Sequence, residues 1–189
     1  MAFFPMMMEL NNKKVLVIGG GEEGKKKTEV LSSFGARITL IAKDALPEAI
    51  ALAECYEEKG FEDSDITEVE YTLIVAATDD RKLNERISRL AQRKRIPVNI
   101  VDDMELCTFI FPAILKENDV VCAVSSGGKS PYITQYIKER IAKILPKKIG
   151  EINDRMGEYR IRAKREIPDV GKRRKYLKSK LEEELRNIE

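Results

Sequence analysis

The stretch VLVIGGGEEG, residues 15–24, places a run of apolar residues directly before three closely spaced glycines. Such a run predicts a buried β-strand, and the lysine-rich segment after it predicts a helix. Gly19, Gly21 and Gly24 have the G-x-G-x-x-G spacing of a dinucleotide fingerprint. In that fingerprint the first glycine allows a sharp turn, the second exposes backbone to a pyrophosphate, and the third lets the helix pack closely on the strand.

The same glycines are compatible with two kinds of turn that bind no dinucleotide. Nucleotide triphosphatases have a related G-x-x-x-x-G-K loop, but it continues with a Ser or Thr that binds magnesium. Lys26 stands at that position, which excludes this class. An ordinary strand-to-helix turn needs no ligand. Because the first N–H groups of a helix face bound phosphates, we expect Glu22 and Glu23 to belong to the cofactor site with the glycines.

The residues after the glycine turn complete a strand–helix–strand unit. Gly35 is placed to end the helix, and residues 37–42 predict the second strand. An acidic residue about 20 positions after the glycines usually binds the ribose hydroxyls. Asp44 is in that position relative to Gly24, slightly beyond the predicted end of the strand. Lys43 beside it leaves NADP open, although we expect NAD.

Further apolar segments continue the alternation of strands and helices. Residues 53–56 predict an edge strand, residues 71–77 a strand covered on both faces, and residues 97–101 another strand. The sequence TDD at residues 78–80 can cap the helix that follows. This rhythm indicates an α/β fold with a Rossmann-like parallel sheet.

Several polar residues follow the predicted strands of this sheet. Ligands of open α/β sheets bind outside the carboxyl ends of the strands, where the strand order reverses. We therefore expect Lys43, Asp44 and Thr78 to lie near the glycine turn and to bind the cofactor. Asp102 is expected where substrate meets cofactor. The same position is also compatible with an Asp102 that is only a solvated loop carboxylate or a helix cap.

The pattern changes after residue 106. Residues 107–111 and 120–124 predict a hairpin-like pair of strands, and residues 131–145 predict a helix. Sparse apolar positions beyond residue 150 predict two more helices with a break near residues 168–171. These helices have too few apolar residues for a core of their own, so they must pack on the rest or on a second chain.

These segments predict three parts: an NAD-binding Rossmann-like domain at 1–113, a smaller α+β dimerisation and substrate domain at 114–149, and a C-terminal helical extension at 150–189. Residues 1–113 carry 15 Lys+Arg against 20 Asp+Glu, a net charge of −5, and the remainder carries 19 against 12, a net charge of +7. A basic half attracts nucleic acid, a membrane surface or an acidic small molecule, or is only a solvated helical surface.

Composition excludes several classes of protein. The hydrophobic fraction is 43% and no apolar run approaches the roughly 18 residues of a membrane span. The opening MAFFPMMM lacks a basic leader and a cleavage site, so we expect a cytoplasmic protein. The chain has no histidine, the commonest general base. Cys55, Cys107 and Cys122 fit neither a disulfide framework nor a zinc site, and are expected to be reduced and mostly buried. No metal site is predicted.

The segment SSGGKSP, which begins at Ser125, forms a second candidate site. Its hydroxyls, its glycine backbone and the helix that follows favour binding of a carboxylate or phosphate. Ser130 can cap that helix, and Pro131 suits its first turn. The same sequence is also compatible with a capped helix start that binds no ligand. The candidate substrate-binding residues are Ser125, Ser126, Gly127, Gly128 and Lys129.

Five motifs, GGGEEGKKK, AATDD, NIVDD, TFIFP and AVSSGGKSP, occur in this order. Over residues 8–146 the chain resembles the precorrin-2 dehydrogenases, including the amino-terminal half of siroheme synthase. The resemblance implies NAD-dependent oxidation of precorrin-2 to sirohydrochlorin by a homodimer whose second domain is built by both chains. By position, Asp102 matches the key carboxylate of the family and Ser126 a serine that is phosphorylated in some relatives. Gly24 stands where many members have Ala, and the two residues after Asp102 replace the usual Ala-Pro.

The residues agree with this resemblance. Precorrin-2 carries several carboxylates, which suits a basic second half. While hydride leaves to the nicotinamide, a proton must leave to a base, and Asp102 is the best-placed candidate. Some family members also insert iron and others only dehydrogenate, so ferrochelatase activity stays open. The chain lacks histidine and clustered carboxylates, so strong metal binding is not expected.

Two alternatives come from different classes of protein. A non-catalytic, dimeric NAD-sensing regulatory module would need the glycine turn but not the SSGGKSP segment. A nucleic-acid-binding tail would need more aromatic residues than Tyr159 and Tyr176. We therefore expect a small-molecule tetrapyrrole substrate, no nucleic acid and no membrane as partners.

Overall fold

A computed structural model of the chain describes residues 3–187. The chain divides into two compact units, Met1–Phe111 and Pro112–Glu189, and each is described by itself.

The first unit contains one parallel five-stranded sheet. Its strands are β1 (Lys14–Gly20), β2 (Arg37–Ala45), β3 (Cys55–Glu58), β4 (Leu73–Ala76) and β5 (Val98–Ile100). Their order in the sheet is β3-β2-β1-β4-β5. The order reverses between β1 and β4, and in open α/β sheets ligands bind outside the carboxyl ends of such a strand pair. This topology confirms the predicted Rossmann-like α/β class.

Helices cover both faces of the sheet. Val15 and Val17 of β1 belong to one apolar cluster, and Leu16 and Ile18 belong to the other, because successive side chains of a strand point to opposite faces. Burial on both faces explains why the strand reads as an unbroken apolar run. The helices of this unit are α1 (Glu22–Ser33), α2 (Pro47–Leu52), α3 (Ser64–Thr67) and α4 (Arg81–Arg93).

The strand predicted at residues 107–111 is not formed. Side chains bind the outer edge of β5 instead: the Val98 N–H donates to Thr108 Oγ1 at 2.8 Å, and the Ile100 N–H donates to Cys107 Sγ at 3.1 Å. The Thr108 N–H adds one backbone bond to the Val98 carbonyl at 2.8 Å. These side chains satisfy an edge strand as a sixth strand would, which explains why an apolar segment there resembles a strand in sequence.

Three local predictions also need correction. β2 continues to Ala45, three residues beyond its predicted end, so Asp44 lies within the strand. The edge strand β3 lies two residues later than predicted. The cysteines are not mostly buried, because Cys55 begins β3 and is exposed, while Cys107 and Cys122 are half-buried.

The second unit consists of an antiparallel hairpin and three helices. Its strands are β6 (Ala113–Glu117) and β7 (Val120–Val124), so the predicted hairpin exists but begins after residue 111. The three predicted helices are confirmed as α5 (Pro131–Ile144), α6 (Ile149–Glu166) and α7 (Val170–Arg186). No helix in residues 3–187 combines the length and apolar character needed to cross a membrane.

The last two helices pack on each other through a polar network. The Glu184 carboxylate of α7 accepts hydrogen bonds from Arg155 Nε at 2.8 Å and from the Tyr159 hydroxyl at 2.9 Å, both on α6. Ile152 and Ala163 of α6 are almost fully buried. The Asn118 side chain donates from the hairpin turn to Asp154 of α6 at 3.2 Å. Side-chain hydrogen bonds and buried apolar residues of α6 thus both hold the C-terminal helices in place.

Candidate functional site

The glycine turn after β1 has a different steric constraint at each position. Gly19 has a φ of +104°, and a Cβ there would overlap the Ala77 carbonyl oxygen at the end of β4. A Cβ at Gly24 would overlap the Gly19 carbonyl oxygen, so only glycine lets α1 approach the turn this closely without a shift. A Cβ at Gly21 would meet no atom within 4 Å. The open space beside Gly21 fits a pyrophosphate on bare backbone.

The start of α1 is available to an anion. Gly21 occupies the N-cap position and supplies no capping side chain, which leaves N–H groups of the first turn unsatisfied. The two carboxylates of this turn pair with lysines along the helix, Glu22 with Lys25 at 3.0 Å and Glu23 with Lys26 at 2.6 Å. This pairing reduces the repulsion that the carboxylates would exert on a bound phosphate.

The end of β2 lies beside the glycine turn. Gly20 is in register with Ala45, and the Leu46 N–H donates to the Gly20 carbonyl at 2.9 Å. Lys43 and Asp44 immediately precede this contact, and both are exposed. The structure therefore brings the predicted ribose-binding carboxylate to the edge of the sheet that carries the glycines.

The predicted residue Thr78 is held in place by a partner that sequence reasoning missed. Its hydroxyl donates to Asn84 Oδ1 at 2.7 Å, and Asn84 Nδ2 donates back to the Thr78 carbonyl at 2.8 Å. Asn84 lies on α4 and is buried. Asp80 caps this helix by accepting from the N–H groups of Lys82 and Leu83. An Asn within a helix is the only trace of this arrangement in the sequence, and it does not distinguish a buried Asn from a solvated one.

Asp102 lies in the turn that follows β5, and its side chain is exposed. Its φ is +60°, a left-handed conformation that non-glycine residues rarely adopt. The Cys107 thiol closes this turn: its sulfur lies 3.2 Å from the Ile100 carbonyl oxygen and 3.3 Å from the Asp103 carbonyl oxygen. The direct turn bond, from the Asp103 N–H to the Ile100 carbonyl, is long at 3.5 Å. The thiol is therefore a main tie across the turn.

Lys27 is a second residue of this edge that the sequence did not indicate. Its Nζ lies 4.7 Å from the centre of the Phe111 ring, in cation–π geometry. Burial lowers the pKa of Lys27, while the nearby carboxylates of Glu23 and Asp102 oppose this shift. Phe111 lies 84 positions away in sequence, so no local pattern links the two residues.

The predicted substrate loop forms a closed turn in the second unit. The Ser126 hydroxyl donates to the Ser130 carbonyl at 3.0 Å and accepts from the Ser130 N–H at 2.9 Å. Gly127 and Gly128 have positive φ values of +65° and +77°. The Ser130 hydroxyl caps α5 by accepting from the Ile133 N–H. Ser125 and Lys129 are exposed on this turn.

The described residues contain no group of three or more His, Cys, Asp or Glu side chains that could hold a metal ion. The first unit instead combines a glycine turn that suits an anion with two exposed carboxylates at the same sheet edge, Asp44 and Asp102, and with the half-buried Lys27 on α1. This arrangement can bind a dinucleotide and accept a proton from a neighbouring substrate.

Comparison with known proteins identifies relatives of this chain. A family model described as "Putative NAD(P)-binding" matches residues 6–113. The siroheme synthase of Thioalkalivibrio sulfidiphilus is 37% identical over 186 residues, which are 96% of this chain and 38% of that protein. The siroheme synthase of Ectopseudomonas mendocina is 39% identical over 176 residues, 92% of this chain and 38% of that protein. The chain thus spans about two fifths of the length of these relatives.

A solved structure of SirC, precorrin-2 dehydrogenase, matches this chain with a TM-score of 0.74. The match covers 98% of both chains at 22% sequence identity. At this identity the likeness shows a shared fold, including the hairpin and helices of the second unit.

Proposed function

The chain belongs to the NAD(P)-binding family whose model matches residues 6–113, and from this premise we propose that it catalyses the NAD-dependent dehydrogenation of precorrin-2 to sirohydrochlorin. The observation that carries the proposal is the glycine turn, with open space beside Gly21 at the point where the strand order reverses. The names of the relatives and the five ordered motifs support the choice of substrate.

The residues that would hold NAD lie along the carboxyl edge of the sheet. The N–H groups at the start of α1 would bind the pyrophosphate. Asp44 at the end of β2 would accept from the ribose hydroxyls, and Thr78, fixed by Asn84, would line the crevice from β4. When bound, NAD supplies the acceptor for the hydride.

Asp102 would act as the general base. The reaction removes a hydride and a proton from the substrate, and the proton needs an acceptor because the chain has no histidine. An exposed carboxylate held in a fixed turn next to the strand ends can accept it. Removal of such a base typically costs about 10²- to 10⁴-fold in rate. The substrate carboxylates would bind the turn at Ser125–Lys129 through the exposed Ser125 hydroxyl and the Lys129 ammonium.

We also propose that the active form is a homodimer in the cytoplasm. Side chains on α5 leave a large apolar surface exposed, with Tyr132 at 86% and Tyr136 at 56% relative exposure. Exposed apolar patches of this kind mark protein–protein interfaces. A second copy of the chain is the occupant that the resemblance implies. The three free cysteines suit a reducing compartment.

The decisive experiment is a coupled assay with the purified chain, precorrin-2 and NAD, with and without ferrous iron. We expect formation of NADH and of the sirohydrochlorin spectrum without iron. Asp102→Asn should reduce kcat by about 100-fold or more while the Kd for NAD is unchanged. Asp103→Asn is the matched control, since that neighbour forms only a surface ion pair with Arg81 at 3.5 Å.

The outcomes separate the candidate functions. NAD binding without any turnover by the wild-type chain would contradict the dehydrogenase and support the regulatory module. Turnover by Asp102→Asn at the wild-type rate would contradict the role of Asp102 alone. Consumption of sirohydrochlorin only when iron is added would extend the activity to ferrochelatase.

A further inference from the structure

Lys27 differs from the two lysines that precede it on α1. Lys25 and Lys26 are ion-paired within the helix. Lys27 forms no ion pair with any carboxylate in residues 3–187, although its side chain is half-buried. A partly desolvated ammonium without a salt bridge is unfavourable in the free protein and gains most from an anionic partner.

The position of Phe111 explains why Lys27 is held in this state. The Phe111 ring packs against the apolar cluster under α1 and lies 5.4 Å from the Phe109 ring, measured between centroids. Asn99 Nδ2 donates to the Phe109 carbonyl at 3.1 Å and so anchors this segment to β5. The aromatic face supports the ammonium through a cation–π contact, which is weaker than an ion pair and leaves N–H donors available.

The charged and titratable groups that face Lys27 come from two places. Glu23 and Lys26 lie on its own helix, and Asp102 and Cys107 lie on the turn after β5 and its closing segment. Glu23 is already paired with Lys26. The charge of Asp102, the group that would take the proton from the substrate, thus acts on the Lys27 ammonium.

The direction of the side chain indicates which ligand it meets. The pyrophosphate would bind at Gly21 and the first turn of α1, whereas Lys27 is the sixth residue of this helix. The ribose-binding Asp44 lies on β2, on one side of β1. Asp102 follows β5, beyond β4 on the other side, and the segment that carries Phe111 is anchored to β5 through Asn99 and the Phe109 carbonyl. Lys27 thus points away from the adenosine end of the site and towards the place of reaction.

On the basis of the dehydrogenase function above, we propose that Lys27 is a substrate-binding residue that pairs with one carboxylate of the tetrapyrrole and so places the reacting carbon beside Asp102. The lowered pKa of Lys27 agrees with this role, because a bound carboxylate would replace the solvation that burial removes.

The test uses uroporphyrin, a stable porphyrin with carboxylates on every pyrrole ring, as a probe that binds without turnover. We expect Lys27→Met to weaken uroporphyrin binding about 10- to 100-fold and to raise the KM for precorrin-2 similarly, as expected for loss of a charged hydrogen bond. Lys27→Arg should retain most of the affinity. Lys14→Met is the control, because Lys14 is exposed at the start of β1, at the opposite edge of the sheet, and this variant should bind uroporphyrin as the wild type does.

Two further measurements identify the role. The Kd for NAD should be the same in all four proteins. Wild-type affinity for uroporphyrin should fall at alkaline pH as Lys27 loses its proton, and this fall should be smaller in Lys27→Met. Methionine keeps an apolar contact with Phe111, so the variant is expected to fold, which thermal unfolding checks.

Each contrary result has a distinct meaning. Equal uroporphyrin affinity in the wild type and Lys27→Met, or no binding by the wild type, overturns the assignment of Lys27. A loss of NAD affinity instead assigns Lys27 to the cofactor. If the wild type binds uroporphyrin in a Lys27-dependent way but forms no NADH, the dehydrogenase function fails and the carboxylate site stands.

Discussion

The substitution Cys107→Ala tests whether a thiol positions the candidate base. Cys107 Sγ accepts from the Ile100 N–H and contacts the carbonyl oxygens of Ile100 and Asp103. It therefore serves both the outer edge of β5 and the turn that carries Asp102. Alanine removes all of these contacts. The turn at Asp102 then keeps its long 3.5 Å turn bond, the bond from the Leu106 N–H to the Asp103 carbonyl at 3.3 Å and the Arg81–Asp103 ion pair.

Two effects follow from the lost contacts. The Ile100 N–H belongs to a residue only 2% exposed, and loss of its partner should lower the free energy of unfolding by roughly 1–2 kcal/mol, the lower part of the range for an unsatisfied buried donor because sulfur is a weak acceptor. The loosened turn should also displace the Asp102 carboxylate. A displacement of about 1 Å typically costs about 10²-fold in rate, so we expect kcat to fall about 10- to 100-fold.

The assay measures kcat, the Kd for NAD and urea unfolding for each variant. Cys55→Ala is the matched control, because its thiol is exposed on the edge strand, and it should leave all three quantities unchanged. Cys107→Ser keeps a donor and an acceptor with a shorter reach and should recover part of kcat. A stability loss with wild-type kcat would refute the positioning role and leave Cys107 a purely structural residue.

Two other predictions concern the glycine turn and the C-terminal helices. Gly21→Val should fold normally, because its Cβ meets open space, but should weaken NAD binding about 10- to 100-fold by blocking charged hydrogen bonds to backbone; unchanged binding in calorimetry would contradict the pyrophosphate position. Hydrogen bonds from Tyr159 and then from Arg155 lower the pKa of Glu184 below its ordinary value of 4.5. Ionised Glu184 therefore stabilises the folded protein at pH values above 4.5, and this stabilisation is lost as the pH falls through the lowered pKa. The unfolding temperatures of the wild type and of Glu184→Gln should therefore converge in acid.

Local sequence patterns predicted the glycine turn and the strand–helix alternation because both depend on neighbouring residues. A parallel strand buried on both faces must be apolar throughout, and a turn residue with a positive φ and a carbonyl oxygen within Cβ distance is best served by glycine. The identity of Gly19 therefore follows from its own backbone conformation and close contact. The carboxyl-edge position of Asp102 also followed from topology, since every parallel strand ends at the same edge.

Long-range contacts account for what the sequence did not predict. The segment 107–111 has strand composition, yet its cysteine and threonine bind the edge of β5 through side chains, and composition does not distinguish this from a backbone ladder. Lys27 reads as one of three similar lysines, and only its contact with Phe111, far along the chain, sets it apart. Asn84 is likewise inconspicuous on a polar helix until its reciprocal bonds with Thr78 are known.

Backbone hydrogen bonds connect the glycine turn to the turn that carries Asp102. The Ala77 N–H donates to the Ile18 carbonyl at 2.7 Å, and the Val101 N–H donates to the Ala76 carbonyl at 2.9 Å. These two bonds link β1 to β4 and β4 to β5. Gly19 follows Ile18, and Asp102 follows Val101, so the two residues are separated by two strand spacings, about 10 Å. The strand framework sets this separation, while the Cys107 thiol binds the backbone of the turn that carries the carboxylate. Substitutions in the framework should therefore impair NAD binding and catalysis together, whereas substitutions at the thiol should lower kcat and stability and leave NAD binding unchanged.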